Sequence, residues 1–250
     1  MDQSNFVRYI NSFLGYNHHN GIKLIEVGDG HSIVEVQLTR NSMNPQGSAH
    51  GGLIFSIADT AAGCACMSET DRKILGKKKV SAVATPIASA KSGCPVTPIL
   101  DCVKAGMNVT LGTGGALECG NLDMFEVLRA AAVSQRAATG NADALPAPAA
   151  LMMGTVCGAR AQGRAEECGM LKEGMDADIV LVDFSAPHLM PCHNVLSSLV
   201  FAVKGGDVAM TMVRGKVLYQ NGQWPTIDLK EVVTELTEYA IPKLFASEQK

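Results

Sequence analysis

The sequence predicts a mixed α/β (α+β) fold, and three patterns carry that prediction. An alternating hairpin over residues 21–39 runs into an Ala/Gly/Cys-rich apolar helix over about 51–69. A strand–helix–strand rhythm follows across about 80–115. Beyond 174, short turn-bounded strands close on an amphipathic helix. Strands that alternate with helices imply parallel pairing in the middle portion. The composition agrees: 47% hydrophobic with only 5% aromatic residues suits close-packed α/β layers better than a sandwich anchored on large aromatic side chains.

Each element has a local reason. Residues 3–14 place Phe6, Ile10 and Phe13 on one helical face. In the hairpin, Ile22 and Leu24 alternate with polar residues, Gly28-Asp29-Gly30 supplies turn chemistry, and Val34, Val36 and Leu38 line the returning strand. The helix over 51–69 is apolar nearly all round, the mark of a helix buried on most sides. After "SETDRKILGKKK" the pattern changes. "VSAVATPI" is a strand, "TPILDCVKAG" a short helix closing on Gly106, and "MNVTLGTGG" a buried strand running into a glycine loop. "NLDMFEVLRAAAVSQRAAT" and "PAPAALMMGTVCGARAQG" are helices, the second with prolines near its start and Gly163 at its end. "ADIVLVDF", "DVAMTMVRG" and "KVLYQNG" are strands, and "LKEVVTELTEYAIPKLFASE" is a terminal helix. These shifts divide the chain into segments 1–76, 77–172 and 173–250.

Charge and cysteine usage narrow the function classes. Against 24 acidic residues stand 21 basic ones, a net charge of −3. The short "KKK" at 77–79 reads as a solvated turn, so no nucleic-acid partner is expected. No apolar run is long enough to cross a bilayer. Eight cysteines, none in a C-x-x-C pair, sit mostly in apolar runs and behave as small hydrophobes. The opening "MDQSNFVRYINSF" is unlike a secretory leader, so the expected setting is a reduced cytoplasm.

The stretch "NPQGSAHGGLIFSIADTA", residues 44–61, carries a candidate site. Gly51 and Gly52 stand at a helix start, where backbone N–H groups lack intrahelical partners and the helix dipole is positive. Glycine lets a ligand carbonyl approach closely, which suits an oxyanion hole. Asp59 lies seven residues past Gly52, on nearly the same face but roughly 10 Å along the axis. For both to serve one reaction, Asp59 has to come from a second, antiparallel copy, so a homodimer or higher homo-oligomer is expected. The bland reading is that Asp59 is a buried acid satisfied by backbone N–H groups or Thr60.

The spacing N-x-x-G-x-x-H-G-G-x-x-x-x-x-A-D, here Asn44, Gly47, His50, Gly51, Gly52, Ala58 and Asp59, resembles the hotdog-fold acyl-CoA thioesterases of the phenylacetyl-CoA type. The resemblance covers about residues 1–76, a hairpin plus central helix. It implies that Gly52 N–H, with Gly51, polarises a thioester carbonyl and that Asp59 acts as general base or nucleophile. His50 and Asn44 then shape the turn. Acyl-CoA is the implied small-molecule substrate, and no cofactor or metal is required.

From about 77 to 250 the chain resembles the last β-α-β unit, helices and small β domain of metal-dependent amidohydrolases, close to the methylthioadenosine/S-adenosylhomocysteine deaminases and chlorohydrolases. The likeness rests on "AGMNVTLGTGGALECGNLDMFEVLRAAA", "GMLKEGMDADIVLVDFSAPHLMPCHN" and "LVFAVKGGDVAMTMVRGKVLYQNGQW". That family holds a metal with an H-x-H pair, two further histidines and an Asp after "LGT". Here no H-x-H occurs, and the position after "LGT" is Gly114. The thioesterase reading therefore leads. An amidohydrolase/deaminase-family chain without its metal ligands is the first alternative. A non-catalytic chain fused, truncated or artificially joined from two families is the second.

Overall fold

The computed structural model of the protein describes residues 3–12, 16–28, 31–39 and 69–245. The chain divides into two compact units, Met1–Lys78 and Lys79–Lys250.

In the first unit, helices α1 (Gln3–Asn11) and α2 (Tyr16–His19) precede strands β1 (Ile22–Gly28) and β2 (His31–Val36). The strands pair antiparallel, Leu24 opposite Val34 and Ile22 opposite Val36, as the alternating pattern predicts. Ile22, Leu24 and Val27 are buried, while Lys23, Ile25 and Glu26 face outward. The inward sequence skips a position because the register shifts between Leu24 and Glu26. Such a bulge carries one extra residue and bends the strand. Beside it, the Asn11 side-chain amide pairs with both backbone groups of Leu24: it donates to the carbonyl at 2.7 Å and accepts from the N–H at 2.9 Å. A side chain thus does for Leu24 what another strand would do. Helix α3 (Glu69–Lys77) closes the unit. This helix has Glu69 and Asp71 in its first turn and Lys77 in its last, in the sense that suits the helix dipole.

The second unit is built on a parallel pair. Strand β3 (Ser81–Ala84) lies beside β4 (Asn108–Leu111), with Ser81 opposite Asn108 and Ala84 opposite Leu111. Between them run α4 (Pro86–Lys91) and α5 (Ile99–Lys104). Proline at the first position of α4 lacks only an N–H that would have no partner there. Val109, Thr110 and Leu111 are all buried, the continuous burial of a strand covered on both faces. Helix α6 (Ala116–Cys119) follows the glycine loop, and α7 (Met124–Thr139) packs inward through Val127, Leu128, Ala131, Ala132 and Gln135. That spacing repeats every three to four residues and makes a single apolar stripe. Asp123 caps α7 by accepting from Phe125 N–H at 2.8 Å.

The segment expected as one helix around 146–163 is two, α8 (Ala147–Gly154) and α9 (Val156–Ala161). Thr155, at φ −129° and ψ −91°, is not helical, and the chain turns there. The break lets two carbonyls at this corner accept from β4: Met153 from the Thr110 hydroxyl at 2.7 Å, and Cys157 from the Asn108 amide at 3.0 Å.

A three-stranded antiparallel sheet, β5 (Ile179–Val182), β6 (Val208–Val213) and β7 (Lys216–Gln220), completes the regular structure, with α10 (Val195–Phe201) between β5 and β6. The C-terminal stretch is α11 (Leu229–Glu235), a π turn (Leu236–Ala240) and α12 (Ile241–Phe245), and it buries none of its residues. Cys94, Cys102, Cys119, Cys157, Cys168 and Cys192 form no disulfide, and Cys102, Cys119 and Cys168 are buried. Among the described residues no helix is long and apolar enough to cross a membrane.

Candidate functional site

In a parallel sheet, chemistry gathers outside the carboxyl ends of the strands, where loops diverge from a rigid base. Here that place is formed by Ala84-Thr85-Pro86 after β3 and Gly112-Thr113-Gly114-Gly115 after β4. The ladder continues one step past both strands, Gly112 N–H donating to Ala84 carbonyl at 3.0 Å. The loop after β4 then turns through Gly114 at φ +70°, a left-handed conformation that glycine adopts freely. The Thr113 hydroxyl donates to the Gly114 carbonyl at 2.9 Å. Glu118, in the first turn of α6, reaches back and accepts from Gly115 N–H. Lys91, ending α4, donates to the Leu117 carbonyl at 2.8 Å and fastens the loop to the helix that follows β3.

Glu118 occupies the space that a side chain at 114 would need. A β-carbon on Gly114 would stand 3.0 Å from Glu118 Oε2. The carboxylate at this mouth therefore belongs to residue 118 rather than 114, and it holds a backbone N–H. Sequence reasoning singled out Gly114 but missed Glu118 and Thr85. The β-α-β rhythm was the available signal, since it places Thr85 one residue beyond a strand end.

Several other ionisable residues make structural contacts. Asp176 joins two arginines, Arg164 at 3.2 Å and Arg214 at 3.1 Å, and Asp178 accepts from Arg214 N–H at 2.8 Å. Asp183 accepts from Ser185 N–H, and that bond holds its pKa below the usual carboxylate range. Asp207 is nearly enclosed. Burial pushes its carboxyl upward, but donation from Lys204 N–H at 2.8 Å and His188 Nε2 at 3.0 Å outweighs this, and the pKa falls. His188 thus pairs with an acid in the small β region. His18 and His19 lie on helix α2.

Asn44, His50, Gly51, Gly52, Asp59 and Thr60 lie outside the described residues, as does all but the last residue of the helix expected over about 51–69.

Comparison with known proteins decides between the two resemblances. The Amidohydrolase family matches residues 28–218, straight through the stretch assigned to a thioesterase. A 5'-deoxyadenosine deaminase of Methanosarcina acetivorans is 43% identical over 175 residues, which are 70% of this chain and 40% of that protein. A 5-methylthioadenosine/S-adenosylhomocysteine deaminase of Moorella thermoacetica is 39% identical over 185 residues, 74% of this chain and 43% of that protein. Among solved structures, an adenosine deaminase from Xanthomonas campestris with bound zinc superposes with a TM-score of 0.67 at 30% identity, covering 70% of this chain and 40% of that one. A zinc-complexed atrazine chlorohydrolase from Arthrobacter aurescens gives 0.63 at 26% identity, covering 69% and 38%. The chain thus spans about two fifths of the length of these relatives.

Three expectations are corrected. The thioesterase function is overturned, because an amidohydrolase match runs through the residues that suggested it. The hotdog portion of the fold finds no support, and the fragment is amidohydrolase-like. A short glycine turn opening a helix is a weak signal, since many unrelated folds build one. The expectation of no metal cofactor is overturned by the zinc in the structural neighbours. The described residues do not fit that metal by themselves: they contain no group of three or more His, Cys, Asp or Glu side chains placed to hold an ion, and Glu118 is engaged by Gly115 N–H. With a family match over residues 28–218 of 250, and a superposition on a zinc-bound adenosine deaminase at a TM-score of 0.67, this chain belongs to the amidohydrolase family.

Proposed function

We propose that the chain serves hydrolytic deamination of an adenosine-type nucleoside. Water replaces the exocyclic amine of the purine, and ammonia leaves. The observation that carries this reading is the 43% identity over 175 residues with a 5'-deoxyadenosine deaminase. The structural likeness to a zinc-bound adenosine deaminase supports it. The chain spans about two fifths of these proteins.

An ion that would activate water for this reaction would have to be held by side chains other than the described residues of this chain. The part this chain plays is positional. Thr85 and Thr113 set hydroxyl-bearing residues beyond two adjacent strand ends. Glu118 and Lys91 fix the loop between β4 and α6 by binding its backbone. A rigid loop at that place shapes the mouth without spending substrate-binding energy on ordering it.

The test is ammonia release from 5'-deoxyadenosine, 5-methylthioadenosine and S-adenosylhomocysteine. It is run with zinc present, on the purified chain alone and mixed with the portion of the Moorella protein that lies outside the match. Release from any of the three supports the reading. Absence in both preparations removes it.

A further inference from the structure

The helical stretch over 229–245 carries one apolar stripe along its length. Asp228 starts it by accepting from Lys230 N–H at 2.9 Å and Glu231 N–H at 3.1 Å. In α11, Leu229, Val232 and Val233 precede Leu236 at helical spacings, so the four share a face. Five α-helical steps beyond Leu236 would turn Ile241 about 140° away from that face. The π turn prevents this. Ile241 N–H donates to the Leu236 carbonyl, an i→i+5 bond that sets Ile241 one turn above Leu236. Leu244 then continues the same face in α12. The stripe runs for about 25 Å at 1.5 Å per residue. It is open to solvent: Val233 is 56%, Leu244 70% and Phe245 55% exposed. Charge is arranged along the same stretch. Glu231, Glu235 and Glu238 crowd its amino-terminal part, and Lys243 stands near its carboxyl end. Glu235 and Lys243 each come directly before a stripe residue, so they flank the stripe on one side, while Lys230 comes directly after one and lies on the other. Tyr239 positions Lys243, whose Nζ donates to the Tyr239 hydroxyl at 3.0 Å and lies 5.0 Å from the ring centroid.

We propose that this stripe pairs with the same stripe of a second copy of the chain, the two helices running antiparallel. Charge chooses both the occupant and the direction. A two-fold axis near Tyr239 brings each Lys243 beside the partner's Glu235, because the two positions are equally far from the axis in sequence. The same operation sets Val233 opposite the partner's Phe245, apolar against apolar. In an antiparallel pair each flank meets its own counterpart, so the Glu235 and Lys243 flank is complementary to itself and the ion pair forms twice. Opposed helix dipoles add to this. Parallel pairing would instead bring the acidic parts of both copies to one height. An anionic lipid surface suits an amphipathic helix with a basic polar face, whereas Glu231, Glu235 and Glu238 make this one acidic. The π turn is what builds the surface, since without it Ile241 and Leu244 would leave the face that Leu236 presents.

The experiment follows the mass of the full chain by light scattering across a dilution series. The expected result is a monomer–dimer equilibrium. Leu236→Glu weakens the dimer about a hundredfold or more. Glu235→Lys and Lys243→Glu each weaken it about tenfold, because each sets like charges side by side twice. The double variant E235K/K243E restores opposite charges in reversed order and recovers most of the affinity. Circular dichroism of every variant, diluted to the monomer, serves as the folding control, and the exposed position of these side chains makes it a fair one. A chain that stays monomeric at all concentrations overturns the proposal, as does a dimer that Leu236→Glu leaves intact. A double charge variant no tighter than the single ones also overturns it, because the two flanks then do not meet. Monomeric chain that sediments with phosphatidylcholine–phosphatidylserine vesicles, and loses that binding in Leu236→Glu, assigns the stripe to a lipid surface instead.

Discussion

The carboxylate of Asp123 accepts a hydrogen bond from the backbone N–H of Gly205 at 2.8 Å, across 82 positions of sequence. Its other oxygen caps helix α7 through Phe125 N–H at 2.8 Å. One side chain therefore starts a helix and pins the turn that leads into β6. Asp123→Ala removes both bonds and is expected to cost about 2 kcal/mol, with a fall in Tm of about 6 °C. Asp123→Asn keeps one accepting oxygen and is expected to lose roughly half as much. Thermal melts of the two variants check the order. An alanine variant as stable as the asparagine one would show that the Gly205 bond contributes nothing.

Thr110 tests the corner between α8 and α9. Its hydroxyl, buried at 4% exposure, donates to the Met153 carbonyl. Thr110→Val keeps the shape and strands that carbonyl, so a loss of about 1–2 kcal/mol is expected. Thr110→Ser retains the donor and gives up a methyl group, for about 1 kcal/mol. Urea unfolding compares them. Wild-type stability in the valine variant would mean that the corner carbonyl finds another partner.

Asp207 sets a pH dependence. Its pKa is lower in the folded chain than in the unfolded one. The unfolded state therefore binds the proton more tightly as pH falls, and the native state loses stability. The contribution is fully present above the ordinary carboxylate range, about pH 4, and disappears as pH drops through the lower folded value. Asp207→Asn is expected to be less stable than wild type at pH 7 and to show a shallower decline between pH 5 and pH 2. Denaturant midpoints measured across that range check it. A parallel decline in both proteins would place the acid sensitivity elsewhere.

Gly169 tests close packing. Its φ is +99°, and a β-carbon there would stand 2.8 Å from the Ala159 β-carbon and 3.2 Å from the Val156 Cα. Neither neighbour is the mobile end of a long side chain. Gly169→Ala combines backbone strain with overpacking and is expected to cost about 3 kcal/mol. Adding Ala159→Gly removes the steric part, so the double variant should be more stable than the sum of the singles. Strict additivity in a thermal double-mutant cycle would refute the clash.

Much of the fold was legible locally. The alternation of Ile22, Leu24, Val34 and Val36 specifies a hairpin, because period two places one set of side chains on one face. The strand–helix–strand order over 80–115 specifies a parallel pair, because strands joined through helices return in the same direction. The stripe Val127, Leu128, Ala131 and Ala132 specifies which face of α7 is buried. These patterns repeat within a few residues, and local geometry suffices to read them.

The site was not legible in that way. The glycines and Asp59 of residues 44–61 made a coherent local case for thioester chemistry, yet the family match runs through them. Spacing along one helix constrains a site only when the surrounding sheet is known. Only tertiary structure decided that Glu118, four positions past Gly114, holds the carboxylate at the end of β4. A side chain reaches back over a turn, and its destination depends on the left-handed backbone at Gly114. Only tertiary structure showed that, among the described residues, β3 pairs with β4 alone, since an apolar strand reads the same whatever its neighbours. Sequence alone determined the hairpin, the parallel sense of β3 and β4, and most of the other elements. The three-dimensional arrangement decided which groups meet at the strand ends and which surface remains to be covered, because those depend on contacts between residues far apart in the chain.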